Sequence, residues 1–225
     1  MNTSSKNRIA GAALALTLAV GAVIAQPHDA HGAVGPVTSG SGWKLRTGVT
    51  HIDTKPWQIT FHDATSRTKL TGYLKNNAAE LTYRLGVQFT VTTKLIPVSR
   101  TTCLPSHTIS YRWQSKPDPA NPNRSFAVPC TSGQAPHSAS IYINSDYWSP
   151  TRNFAEGVRR NVIWHETGHA VGLAHPATCP TDRYGRKPIM CDVNSYKALT
   201  TWRYSSYENT AFKYLKANRA YYPMP

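Results

Sequence analysis

The chain has 225 residues, 40% of them apolar and only 16% charged. That is enough for one domain of one or two lobes with a real core, and it reads as a loop-rich extracellular protein rather than a charged cytosolic one. The formal charge of +14 favours acidic partners, but no basic run or nucleic-acid motif accompanies it. Specific nucleic-acid binding is therefore excluded, and the charge reads first as solubility with nonspecific adsorption.

Met1 to Ala33 reads as a secretory signal. Lys6 and Arg8 form a positive head, Ile9 to Ala25 is an uncharged Ala- and Leu-rich run, and cleavage is expected after Ala25 or Ala33. The run is short for a membrane span, so no stable membrane insertion is expected after cleavage. The mature protein is expected to be secreted. Residues 34–50 follow a Gly/Ser/Pro-rich composition and read as a flexible linker or the remnant of a short propeptide. Residues 51–225 are expected to form the folded domain.

Trp57 to Phe61 alternates apolar and polar residues, as a strand does. Leu70, Tyr73, Leu74, Leu81 and Leu85 recur at helical spacing, which predicts a helix over Thr68–Leu85 stopped by Gly86. Strands are expected at Val87–Val91, Thr108–Trp113 and Ser140–Tyr147, while Pro117 to Pro122 lacks the backbone donors for regular structure. A helix is expected to open at Asn153, with Glu156 in capping-box spacing. Pro176 to Pro188 reads as loop, and Ser206 to about Arg219 as a C-terminal helix. This order suggests a mixed sheet with helices packed on it.

Four cysteines follow the leader: Cys103, Cys130, Cys179 and Cys191. An even count in an exported chain suggests two disulfides. Three connectivities are possible. Cys103–Cys130 with Cys179–Cys191 is favoured, because each closes a Pro-containing loop. Cys-ligated zinc is disfavoured by the absence of Cys-x-x-Cys spacing.

The chemistry is concentrated in His165-Glu166-Thr167-Gly168-His169-Ala170-Val171-Gly172-Leu173-Ala174-His175. His165 and His169, four apart on a helix, put two imidazoles on one face one turn apart. Glu166 projects toward the same cleft, placed to take a proton rather than to bind metal. On a continuous helix His175 would lie about 15 Å along the axis from His165. It reaches the same ion only if the chain turns sharply, which Gly172 permits. Three imidazoles leave a fourth zinc position open, the catalytic rather than the structural arrangement. His51, His62, His107 and His137 have no such spacing and read as surface or hydrogen-bonded residues.

These residues resemble the metzincin clan of zinc endopeptidases, whose pattern is His-Glu-x-x-His-x-x-Gly-x-x-His followed by a methionine turn. Pro188-Ile189-Met190 is the candidate turn, with Met190 beneath the metal. The strand and helix before the motif look matrixin-like, and the resemblance is to the secreted bacterial type. The resemblance is specific between about 140 and 196. Asp192 stands where several of these families place a tyrosine, which argues against an astacin-like member; Tyr196 is a candidate cleft-wall residue. Small actinobacterial metzincins with Asp as third ligand are similar in size, but His175 differs from them.

The resemblance implies an α+β zincin domain: a mixed twisted sheet, an active-site helix, and a smaller C-terminal subdomain ending in a helix. It implies one catalytic Zn2+ held by His165, His169 and His175. Glu166 would be the general base that activates water for peptide-bond hydrolysis. Calcium is not expected, because acidic residues are few and scattered. The expected partner is a protein or peptide substrate, acidic or envelope-associated, acted on by a monomer. Two other readings remain: a zinc amidohydrolase of cell-wall peptides, and an inactive, zinc-stabilised extracellular binding protein.

Overall fold

A computed structural model of the chain describes residues 35–191 and 203–222. The secretory-signal reading of Met1–Ala33 and the readings placed on Asp192 and Tyr196 lie outside the described residues.

The centre of the fold is a five-stranded mixed sheet. Its strands are β3 (Trp57–Phe61), β4 (Phe89–Leu95), β5 (Thr108–Gln114), β6 (Phe126–Ser132) and β7 (Ala135–Asn144), in the order β4-β3-β5-β7-β6. β4, β3, β5 and β7 are mutually parallel, and β6 joins β7 antiparallel as an edge. The central strands are buried at Ile59, Phe61, Ile109, Tyr111, Ile141 and Ile143, as expected for parallel strands covered on both faces.

Helix α1 (Ala64–Leu85) packs on this sheet through Leu70, Leu74, Ala78, Leu81 and Leu85. It starts four residues before the sequence expectation because Asp63 caps it: the Asp63 carboxylate accepts from Ser66 N at 2.7 Å. Gly86 ends it at φ 62°. β4 starts at Phe89 rather than Val87, where pairing with Trp57 begins.

β6 was not legible as a strand, since Pro129 interrupts it. Pro129 pairs with Ala139 on an edge strand, and there its missing N–H breaks no ladder bond. A two-residue turn at Gly133 (φ 58°) and Gln134 folds β6 back into β7. β7 consequently begins at Ala135 rather than Ser140. It ends at Asn144, whose side chain accepts from Asp146 N and starts a 3-10 turn, Ser145–Trp148.

Helix α2 spans Glu156–Ala170. The expected capping box at Asn153 does not form. Asn153 is left-handed (φ 45°), the N-cap position is Ala155 with no side-chain cap bond, and the Glu156 carboxylate instead meets Tyr73 Oη and Arg160. Helix α3 (Ser206–Ala217) does carry a capping box, between Ser205 and Glu208, and a 3-10 turn, Asn218–Tyr221, extends it.

Residues 39–45 are not linker. β1 (Ser39–Gly40) and β2 (Trp43–Leu45) form a small antiparallel sheet with β8 (Leu173–Ala174). Trp43, Leu45 and Val49 join the core. Their composition hid this, because the apolar residues are sparse among Gly, Ser and Thr. The structure pairs Cys103 with Cys130 and Cys179 with Cys191, at Cα–Cα distances of 5.8 and 5.9 Å.

Candidate metal centre

Near its C-terminal end α2 presents His165 and His169 on one face, one turn apart. The helix stops at Val171. Gly172 then adopts φ 104°, and its N–H bonds to His169 O at 3.2 Å. A Cβ here would lie 2.8 Å from Val49 Cγ1 and 3.2 Å from Pro136 Cγ, so glycine is needed for both conformation and space. Arg46 N then bonds Gly172 O at 2.8 Å, and β8 pairs Leu173 with Leu45. This pairing turns the chain and returns His175 to the helix face.

The three imidazoles converge. His165 Nε2 lies 3.1 Å and His169 Nε2 3.2 Å from His175 Nε2, and one ligand atom from each ring lies within 4.8 Å of the others. The opposite ring nitrogens fix the tautomers. His165 Nδ1 donates to Ile189 O (2.7 Å) and His169 Nδ1 to Leu173 O (3.0 Å), so both Nε2 atoms present lone pairs. Nitrogens about 2.0–2.1 Å from a tetrahedral zinc would stand about 3.3 Å apart. The spacing and the donor set both fit such an ion. Burial is the main reason that His165 and His169 titrate low, at about 4 and about 3, with neighbouring imidazole and Arg charges adding to it. Both rings are thus neutral at physiological pH, the form that binds metal.

Glu166 is buried, and that burial pushes its carboxyl up to about 8 against the pull of the Arg124 charge and the Ala127 N–H. A dication on the three imidazoles would favour the ionised form instead.

Below the histidines lies Met190, which is 2% exposed. Gly168 makes room for it: a Cβ there would collide with Met190 Sδ. Met190 N donates to Glu208 Oε1 at 3.0 Å, while the other Glu208 oxygen accepts from Ser205 N and Oγ. Thr167 Oγ1 meets Tyr111 Oη at 2.6 Å, and Tyr204 Oη donates to Trp164 O. These bonds tie the active helix to β5 and to the segment leading into α3.

Of the remaining histidines, His107 pairs with Asp53 at 2.5 Å, His62 Nδ1 accepts from Val98 N, and His51 stacks on Tyr222. The structure brings none of them into the cluster. Sequence reasoning missed Gly168, Glu208, Arg46 and Arg124. A glycine inside a helix was a usable signal for Gly168, and the Ser205-x-x-Glu208 box for Glu208. Nothing local marks the two arginines.

No protein-family model matches the chain, and no curated protein matches it. Among solved structures it is similar to high choriolytic enzyme 1, a hatching-enzyme zinc-protease from the medaka fish Oryzias latipes. That likeness has a TM-score of 0.30 and 13% identity, covering 63% of this chain and 55% of the other. The chain thus spans a little over half the length of that protein.

Proposed function

We propose that this protein is a secreted zinc endopeptidase of the metzincin type, nearer matrixins than astacins. The observation that carries the reading is the convergence of the Nε2 atoms of His165, His169 and His175 on one point, with lone pairs presented by His165 and His169. The two facing lone pairs repel unless a proton or a metal cation lies between the rings, and one proton on His175 can serve only one of the two at a time. The adjacent buried carboxyl of Glu166 and the position of β6 at the sheet edge add to it.

Zinc, when bound, supplies Lewis-acid polarisation of a carbonyl and acidification of water. His165, His169 and His175 would hold it, with the Ile189 and Leu173 carbonyls orienting two of the rings. Glu166 accepts a proton from the attacking water and passes it to the leaving amine. Its position in a nearly dry pocket keeps that proton from bulk water. The backbone groups that the edge strand β6 leaves unpaired can receive an extended peptide. Two disulfides and the N-terminal signal-like run support export.

The test is metal analysis and peptide cleavage on the secreted protein. One zinc per chain is expected, with cleavage of casein or a peptide library that phenanthroline abolishes. Glu166→Ala should lower kcat by about 10²–10⁴-fold with zinc content retained. Undiminished turnover in the chelator, or in that variant, would overturn the reading. Digestion of purified cell wall with no cleavage of ordinary peptides would favour an amidohydrolase instead.

A further inference from the structure

Two of the three imidazoles stand on α2, and the helix alone fixes their spacing. The third has no such support. His175 follows the Gly172 turn and the two residues of β8, and among the described residues β8 pairs with one strand, β2.

That strand belongs to a segment, Val37–Thr50, whose two ends meet on one side chain. The buried Asn218 amide accepts from Val37 N at 3.2 Å, and it donates to Val37 O at 2.8 Å and to Thr50 O at 2.7 Å. Between these ends Leu45 N donates to Thr38 O. The Trp43 indole stacks on Tyr214 of α3 with centroids 5.0 Å apart, and the turn at Gly42 lies against the Tyr207 ring. Arg46 is where the segment grips the site. Its N–H bonds Gly172 O, and its Nη1 donates to Pro129 O of β6 at 2.8 Å. Its carbonyl accepts from Val49 N, and the Val49 side chain lies against Gly172. One residue thus spans the turn behind His175 and the edge strand of the main sheet.

We propose that Val37–Thr50 is a clasp that positions the third metal ligand, with Arg46 as its positioning residue, and that the active form retains it rather than losing it as a propeptide. The proposal rests on the reading of the three histidines as a metal centre. With the clasp undocked, β8 loses its pairing and His175 is no longer held against α2. Two imidazoles hold a metal less tightly than three. The apparent metal affinity then scales with the fraction of molecules in which the clasp is docked. Linkage makes the effect reciprocal: metal tightens the clasp by the same factor by which the clasp tightens metal.

The test measures zinc release to a chromogenic chelator and amide exchange with and without zinc, both on the full protein. Arg46→Gln and Asn218→Ala should each weaken zinc affinity and speed its release by about 10–100-fold. Arg46→Lys keeps one donor for Pro129 O and should recover most of the loss. Phe89→Leu, a core change in β4 at the far edge of the main sheet, should lower Tm without altering release. Zinc should slow exchange of the Leu45 and Arg46 amides about as much as the clasp variants weaken zinc, and should leave Gly86 N, at the end of α1, as it was. Should the clasp variants not fold, exchange in the unaltered protein decides. Release unchanged in the clasp variants, release equally fast in Phe89→Leu, or zinc protection shared evenly by Gly86 would overturn the proposal. Zinc held with this dependence on Arg46 but no peptide cleaved would sink the peptidase reading and leave the clasp standing. No zinc bound by the unaltered protein would remove the metal centre and the clasp together.

Discussion

At the scale of single residues, two positions outside the histidine set govern the geometry. Gly172 turns the chain at φ 104° with Val49 and Pro136 pressed against it. Gly172→Ala should cost about 1–3 kcal/mol and displace His175, so zinc affinity measured by competition should fall together with Tm. Unchanged affinity would show that the turn is dispensable. Asp182 organises the loop that leads to Met190. Burial pushes its carboxyl up, but bonds from Arg186 N, the Arg186 side chain and Tyr184 N win and hold it down at about 2. The folded pKa lies below the ordinary value of 3.8, so this contribution to stability is fully present above pH 3.8 and is lost as pH falls toward 2. Asp182→Asn should therefore flatten the acid limb of a Tm-against-pH curve in that window. The His-Glu-x-x-His positions and His175 could be read from spacing alone. Arg46 could not, because its meaning depends on β6, which the sequence did not reveal.

At the scale of elements, helices were legible and edges were not. The leucine stripe of α1 and the apolar positions of α2 follow the 3.6 period, so both were found, with starts displaced by capping that only the structure settles. β6 is interrupted by Pro129 and pairs with β7 through a tight turn, whereas the β1–β2 pair is short, broken by glycines and completed by β8, which is distant in sequence. The link between α3 and the metal floor is of this long-range kind. Glu208 caps its own helix and also holds Met190 N. Glu208→Gln retains the shape but replaces one acceptor oxygen by a donor facing N–H or O–H groups. It should cost about 1–3 kcal/mol and weaken zinc retention under chelator challenge. A variant that loses stability but keeps zinc as tightly as before would separate the helix cap from the support of Met190.

At the scale of the whole molecule, the two disulfides have different work. Each closes a loop that the chain-entropy argument values at about 3 kcal/mol. Cys103–Cys130 fastens β6 to the loop before β5, whereas Cys179–Cys191 closes the segment containing Asp182 and Met190. Replacing both cysteines of either pair by Ala should lower Tm. Only the loss of Cys179–Cys191 should also raise the rate of zinc release, as followed with a chromogenic chelator. Equal release rates for the two double variants would contradict this division. Pro129 carries a further consequence. A sheet edge open enough to receive a peptide is equally open to the same edge of a second molecule. Pro129 presents no N–H on that edge, and its carbonyl is already taken by Arg46. A short extended guest can dock on either side of that gap, but two long strands cannot zip through it. The residue that hid β6 from the sequence is thus also one that interrupts the bonding capacity of that edge.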